Sequence, residues 1–169
     1  MYKTPQQAYK ELVKSNDFNI KGFLSSFFIN STPENFKKED WQIHFYNSDS
    51  DKLTTYVVGE KILVLGESEV FKDNKDPIEE LNLDKVKITL EYAIKKGELI
   101  LKDNNETPTK IIIMLQKQVI PLWNITYVTE KFNMINIKIN AENGELILNN
   151  TISLLSFGKV DGMGMGAKN

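Results

Sequence analysis

The chain has 169 residues, of which 41% are hydrophobic and 26% are charged, a balance typical of globular proteins rather than disordered ones. Its 21 basic and 23 acidic residues are interspersed and give a net charge of −2, so no basic patch predicts a nucleic-acid partner. It has no cysteine and one histidine, which excludes thiol chemistry and disfavours a zinc enzyme. No apolar run is long enough to predict a membrane span, and we expect neither a metal nor a cofactor.

A first helix is predicted at about residues 4 to 16. Thr4 is a candidate N-cap, Pro5 suits the first helical position, and Gln7 stands where a capping box requires Glu or Gln. The apolar residues that follow recur at helical spacing and fall on one face. The pattern indicates an amphipathic helix that opens the fold.

Several segments with strand character follow, at residues 20 to 29, at 40 to 47, and in LTTYVV and KILVL. In the second segment, apolar and aromatic residues alternate with polar or half-polar ones, and this period of two predicts a half-buried strand. The alternating sets are Trp41, Ile43 and Phe45 on one side and Gln42, His44 and Tyr46 on the other.

The stretch from 67 to 83 is rich in charge and contains Pro77, which predicts a linker. Its acidic side chains raise the hypothesis of a calcium site, but they lack the regular Asp-x-Asp-x-Asp-Gly loop that supplies oxygen ligands in a fixed geometry. A solvated linker is therefore favoured. The acidic residues are Glu67, Glu69, Asp73, Asp76, Glu79 and Glu80.

A second helix is predicted from about 84 to 96, with Gly97 just past its end as a C-cap. Further strands follow in ELILK, KIIIMLQKQ, LWNITYVT, MINIKIN and ELILN. Asn143 and Gly144 predict a tight hairpin turn before the last strand, because both residue types tolerate positive φ.

The two halves of the chain repeat one another. Trp123 follows Trp41 at a separation of 82 residues, and each begins an alternating strand, while Gly144-Glu145 follows Gly59-Glu60 at a separation of 85. The predicted helices correspond at a similar spacing. Separations that stay between 81 and 85 residues indicate a duplicated helix-plus-sheet unit.

PLWNITYV, the turn EKFN, and MINIKINAENGELIL together resemble the closing half of a PepSY-type domain. That family pattern is a strand led by Trp, a hairpin, and a strand that ends in an Asp/Asn-Ala-x-x-Gly-Glu turn. The matching positions here are Trp123, Asn140, Ala141, Gly144 and Glu145.

The resemblance implies an α+β protein of two tandem units, each with one helix packed on an antiparallel sheet in a cystatin-like arrangement. The expected organisation is a first unit at 1–66, a charged linker at 67–83, a second unit at 84–155 and a flexible tail at 156–169.

No phosphate-loop, nucleophile or metalloprotease motif occurs, so we expect no enzymatic activity. The leading hypothesis is a binding or regulatory module that holds a protein or peptide on an exposed sheet face. For PepSY-like domains the implied roles are regulation of peptidases or work in the cell envelope. Candidate partner-contact residues are Gly144, Glu145, His44 and Tyr46, although a hairpin turn and an ordinary strand histidine explain most of them structurally.

Two other classes stay open. A small-molecule or lipid carrier predicts an apolar cavity between helix and sheet, lined by Phe23, Phe27, Tyr127 and Ile137. A hydrolase built on carboxylates alone requires two acids that converge in a cleft. Because PepSY-like proteins are typically exported or anchored, we expect an extracytoplasmic location, with the signal or anchor absent from this chain.

Overall fold

The computed structural model describes residues 2–19, 21–70 and 76–156. In these residues helix α1 spans Pro5–Lys14 and helix α2 spans Leu90–Asp103. Short 3-10 helices lie at Phe36–Lys38 and Leu83–Lys85. The strands are β1 (Phe23–Ser31), β2 (Trp41–Asn47), β3 (Lys52–Val58), β4 (Ile62–Glu69), β5 (Pro108–Gln118), β6 (Ile120–Thr129), β7 (Asn133–Asn140) and β8 (Leu146–Ser153).

All eight strands belong to one antiparallel sheet with the order β4-β3-β2-β1-β5-β6-β7-β8. The predicted α+β content is confirmed, but the prediction of two tandem helix-on-sheet units is wrong. Strands β1 and β5 pair from Ser26↔Gln116 to Ser31↔Ile111, and this pairing joins both halves of the chain into a single sheet. Pairing the two strands satisfies backbone groups that separate units would leave at open edges.

Helix α1 begins as its sequence predicts. The Thr4 hydroxyl accepts a hydrogen bond from the backbone N–H of Gln7, and the Gln7 side chain accepts one from the N–H of Thr4. This reciprocal capping box satisfies two of the helix's otherwise unpaired donors. The helix then buries Ala8 and Leu12 against the sheet.

Helix α2 differs from the predicted span of 84 to 96. Thr89 is its N-cap, with the hydroxyl accepting a hydrogen bond from the N–H of Tyr92. Gly97 is buried in the middle of the helix rather than capping its end, because the apolar spacing continues through ELIL to Leu101. A Cβ atom on Gly97 would lie 2.5 Å from the Tyr127 hydroxyl oxygen. Glycine therefore lets α2 approach the sheet closely at this point.

Both helices pack on one face of the sheet, which we call the covered face. The rings of Trp41 and Trp123 meet there with centroids 6.4 Å apart. Each indole N–H donates to a backbone carbonyl just before a helix, Trp41 to Lys3 at 2.8 Å and Trp123 to Ile88 at 2.9 Å. The tryptophans thus fix both helix starts to the sheet. Trp123, Ile125 and Tyr127, alternate residues of β6, are buried on this face.

The segment predicted as a charged linker, 67–83, is attached to the sheet where it is described. Its first three residues belong to β4. Leu81 is buried, and its N–H donates to the carbonyl of Leu24 at 2.9 Å. Residues 71–75 of this segment, and 157–169 of the predicted tail, lie outside the described residues.

The opposite face of the sheet, which we call the free face, carries the alternate side chains of the same strands. Cross-strand pairing places polar and apolar side chains there in rows, and most are half-buried. Its central residues are Ser26, Phe28, Gln42, His44, Thr55, Val57, Ile112, Met114, Gln116, Asn124, Thr126, Asn136 and Lys138.

Candidate functional site

A cleft of about 660 Å³ lies at the end of the free face where β5 turns into β6. The sheet supplies its floor, and the segment that follows β4 borders it. Both polar and apolar side chains line it, which suits a ligand of mixed character. The lining includes Ser26, His44, Leu53, Met114, Gln116 and Lys138 from the sheet, with Val70 and Asp76, Pro77, Ile78 and Glu79 from the border.

A β-bulge shapes the floor of this cleft. The register of β1 against β2 shifts between Leu24 and Ser26, so two successive serines are buried. The Ser25 hydroxyl donates to the carbonyl of His44 at 3.1 Å. The Ser26 hydroxyl shares a hydrogen bond with Nδ1 of the His44 ring at 2.8 Å. The bulge therefore orients His44 through both its backbone and its ring.

Burial lowers the pKa of His44 to about 4, because the surroundings disfavour the charged ring. The Phe28 ring lies beside it, with centroids 6.2 Å apart. At neutral pH the imidazole is uncharged, and so low a pKa makes it a weak general base. The chemistry that this pair favours is hydrogen bonding to a neutral ligand.

The rim of the cleft is held by Glu79. Its carboxylate accepts hydrogen bonds from Lys117 at 2.7 Å and from the N–H of Val119 at 2.7 Å. The contact with Lys117, followed by that with Val119, lowers the pKa of Glu79. Val119 has a φ of 68°, which is unusual for a β-branched residue, and its side chain is 83% exposed. Glu79 thus stabilises a strained hairpin that projects an apolar side chain into solvent.

Ser26, Gln116 and Met114 were not among the predicted contact residues. One signal for Ser26 was present in the sequence, since the pair Ser25-Ser26 interrupts the aromatic pattern of β1. Two small polar residues in an otherwise apolar strand are consistent with a bulge. Gln116 and Met114 gave no such signal, because their place in the same cleft as His44 depends on the pairing of β1 with β5.

The predicted contact residues do not form one site. His44 and Tyr46 lie two residues apart on β2, and the Tyr46 hydroxyl donates to Asp51 at 2.6 Å. Gly144 and Glu145 follow β7, so strands β1, β5 and β6 separate them from β2.

The Gly144 turn packs against α2. Gly144 has a φ of 80°, a Cβ there would lie 2.8 Å from the Tyr92 ring, and its carbonyl accepts a hydrogen bond from Lys96 at 2.7 Å. These contacts give the turn a structural role.

The residues predicted to line a carrier cavity lie elsewhere in the molecule. Phe27, Tyr127 and Ile137 are at most 2% exposed and belong to the packed core under the helices. Phe23 borders a separate cleft of about 590 Å³, beside Gly22 and Leu81. A carrier of the predicted kind would need this core to open, since side chains fill the space between helices and sheet.

The acidic residues of the predicted calcium stretch are spread apart where they are described. Glu67 lies 3.8 Å from the ammonium of Lys52 and 4.0 Å from that of Lys21, while Glu79 pairs with Lys117. Asp73 lies outside the described residues. Within the described ranges, no three acidic or histidine side chains come close enough together to hold a metal ion.

No protein-family model and no curated protein matches this chain. Among the helices of the described residues, none is long and apolar enough to cross a membrane. One similar solved structure is the crystal structure of a "putative lipoprotein" from Clostridium difficile 630, with a TM-score of 0.53 and 15% identity. The match covers 89% of this chain and 94% of that chain. At this identity the two proteins share a fold, and the comparison supports nothing finer.

Proposed function

We propose that this chain is a non-catalytic binding module that holds a protein or peptide partner on the free face of its sheet. The observation that carries the proposal is the cleft on that face, where Ser26, His44 and Gln116 offer hydrogen-bonding groups next to the apolar side chain of Met114. A sheet face that combines such groups favours a peptide, since a peptide presents both backbone amides and side chains.

The charges around the cleft favour an uncharged segment of the partner. Lys117 is paired with Glu79, the other two charged side chains of the described lining, Lys138 and Asp76, have opposite signs, and His44 is neutral at physiological pH. Met114 and Pro77 supply apolar contacts. We therefore expect an extended segment with one apolar anchor residue and neutral polar neighbours.

The absence of catalysis is part of the proposal. Ser26 and His44 have the spacing of a nucleophile and a base, yet the low pKa of His44 leaves the imidazole a poor acceptor for the serine proton. Incubating the chain with generic ester and peptide substrates should give no turnover above a Ser26→Ala variant. Turnover that disappears in that variant would contradict this part of the proposal.

An extracytoplasmic setting, with peptidase regulation or another cell-envelope role, fits the family resemblance, and the name of the structural neighbour agrees with that setting. Fractionation of the native host should find the protein with the envelope or outside the cell. Recovery from the cytosol alone would count against this location and leave peptide binding to be tested separately.

The binding proposal is tested by selecting random displayed peptides against the whole chain. Enriched peptides should lose binding to a Met114→Lys variant, which places a charge in the cleft. They should keep binding to Leu99→Lys, a matched control on α2, where Leu99 is 60% exposed. Failure to enrich any peptide, or equal loss with both variants, would contradict the proposal.

A further inference from the structure

The two edge strands of the sheet differ in how they meet solvent. Strand β4 contains Gly66 at a φ of 83°, a register shift against β3, and the acidic residues Glu67 and Glu69. Bulges and charges of this kind prevent an edge strand from pairing with another chain. Strand β4 is therefore a protected edge.

Strand β8 lacks most of these features. Its eight residues, LILNNTIS, include no charged residue, no proline and no glycine. The side chains of Leu146, Ile147 and Leu148 are 38 to 45% exposed. Among the described residues no strand pairs with the outer side of β8, which therefore presents backbone N–H and C=O groups that fit another strand.

Most of β8 is also regular enough to pair. Its one register shift lies near the start, where Leu146 opposes Ile139 and Leu148 opposes Lys138. From Leu148 to Ser153 the pairing with β7 is continuous. Six successive residues thus offer a straight edge.

We propose that two copies of this chain pair through β8 in an antiparallel, two-fold symmetric manner, giving one sheet that runs through both copies. Because the two-fold axis is perpendicular to the sheet, both free faces point the same way and residues of like orientation oppose each other. Since β8 carries no charge, self-pairing brings no like-charge repulsion. A second copy is therefore a compatible occupant.

The order of side chains selects one register. On the free face, β8 presents Leu148, Asn150 and Ile152 in turn. Centring the axis at Asn150 places Leu148 opposite Ile152 and the two Asn150 amides opposite each other. Moving the centre by one residue in either direction would oppose Asn150 to Leu148 or to Ile152, which leaves an amide against an aliphatic side chain. We infer that Asn150 faces Asn150.

The absence of cysteine from the chain makes this register directly testable. An Asn150→Cys variant would bring two thiols to directly opposed positions, with Cα atoms about 4.5 to 5.5 Å apart, within the range of a disulfide. Mild oxidation should link the copies on the order of tenfold faster than in Leu65→Cys, an exposed position on β4. Thr151→Cys alone should link slowly, and should link quickly when mixed with Asn149→Cys.

Equal rates for Asn150→Cys and Leu65→Cys would overturn the proposal, as would fast linkage at a different β8 position. Sedimentation of the unmodified chain supplies a second readout. Asn150→Lys should abolish a concentration-dependent dimer, whereas Leu65→Lys should not. A chain that is monomeric at every concentration and does not cross-link would also overturn it, and would leave this edge for a strand of another protein.

Discussion

The two faces of the sheet are built from the same strands but have different properties. On the covered face, Trp41, Trp123 and Ile137 are fully buried beneath the helices. On the free face the side chains are half-buried and several form polar contacts, as where Asn136 donates to Asn124 at 2.6 Å and to Thr126 at 2.9 Å. The covered face supplies most of the stability, so residues on the free face can change with less cost to folding. The free face can therefore carry side chains that serve binding at little cost to the stability of the fold.

The largest expected difference between the two faces is in how much the truncation of one side chain lowers the free energy of unfolding. Trp123→Ala should lower the free energy of unfolding by about 3 to 5 kcal/mol, because it leaves a cavity and removes the hydrogen bond to Ile88. Met114→Ala on the free face should cost about 1 kcal/mol. Urea unfolding measures both values, and similar losses would break the comparison.

The second test uses pH. The pKa of His44 is about 4 in the folded chain and about 6.5 when unfolded, so the unfolded state takes up a proton first as the pH falls. The titration of His44 should therefore leave the free energy of unfolding unchanged above about pH 6.5. As the pH falls towards 4, it should lower that free energy by up to about 3 kcal/mol.

In a His44→Gln variant this fall in the free energy of unfolding should be absent, while the carboxylates titrate as they do in the unsubstituted chain. Unfolding free energies of both proteins at pH 7 and pH 4.5 measure the difference. Equal changes in the free energy of unfolding of the two proteins between pH 7 and pH 4.5 would contradict the lowered pKa of His44.

A smaller effect is expected where α2 meets the covered face. Gly97→Ala should destabilise the chain by about 1 to 2 kcal/mol, because the new methyl group would press on the buried Tyr127 hydroxyl. That hydroxyl has no hydrogen-bond partner among the described residues. Tyr127→Phe should therefore be neutral or stabilising by about 1 kcal/mol. It should rescue Gly97→Ala in part, because ring carbon Cε2 would still lie 2.9 Å from the new Cβ. Thermal melts of the two single variants and the double variant complete the cycle, and additive losses would argue against the contact.

Local patterns predicted the parts of the fold that depend on local chemistry. The Thr4 to Gln7 capping box and the alternating burial of β2 and β6 follow from side-chain chemistry within a few residues. The end of α2 was misplaced because Gly97 fitted a C-cap as well as it fits a close helix-sheet contact. Its partner, Tyr127, is 30 positions away, and no local signal reports that contact.

The pairing of β1 with β5 could not be predicted for a similar reason. A strand's period of two specifies which side chains are buried, but it does not specify the neighbouring strand. The charge of 67–83 suggested a boundary between units, whereas Leu81 anchors the segment to Leu24. The composition of the candidate site depends on the same strand pairing. The sequence was enough to name His44 as a candidate. The position of Ser26 depends on the bulge in β1, and that of Gln116 depends on the pairing of β1 with β5.

The claim that the free face binds the partner is tested most directly by photo-cross-linking in extract of the native host, from one position on the free face and one on α2. A photoreactive phenylalanine analogue at position 114 reports on the free face, and the same analogue at position 99 reports on the outer side of α2. We expect a discrete adduct from position 114 that disappears when an enriched peptide is added as competitor, and no such adduct from position 99. Adducts of equal yield from both positions, or one from position 99 alone, would contradict the claim that the free face binds the partner.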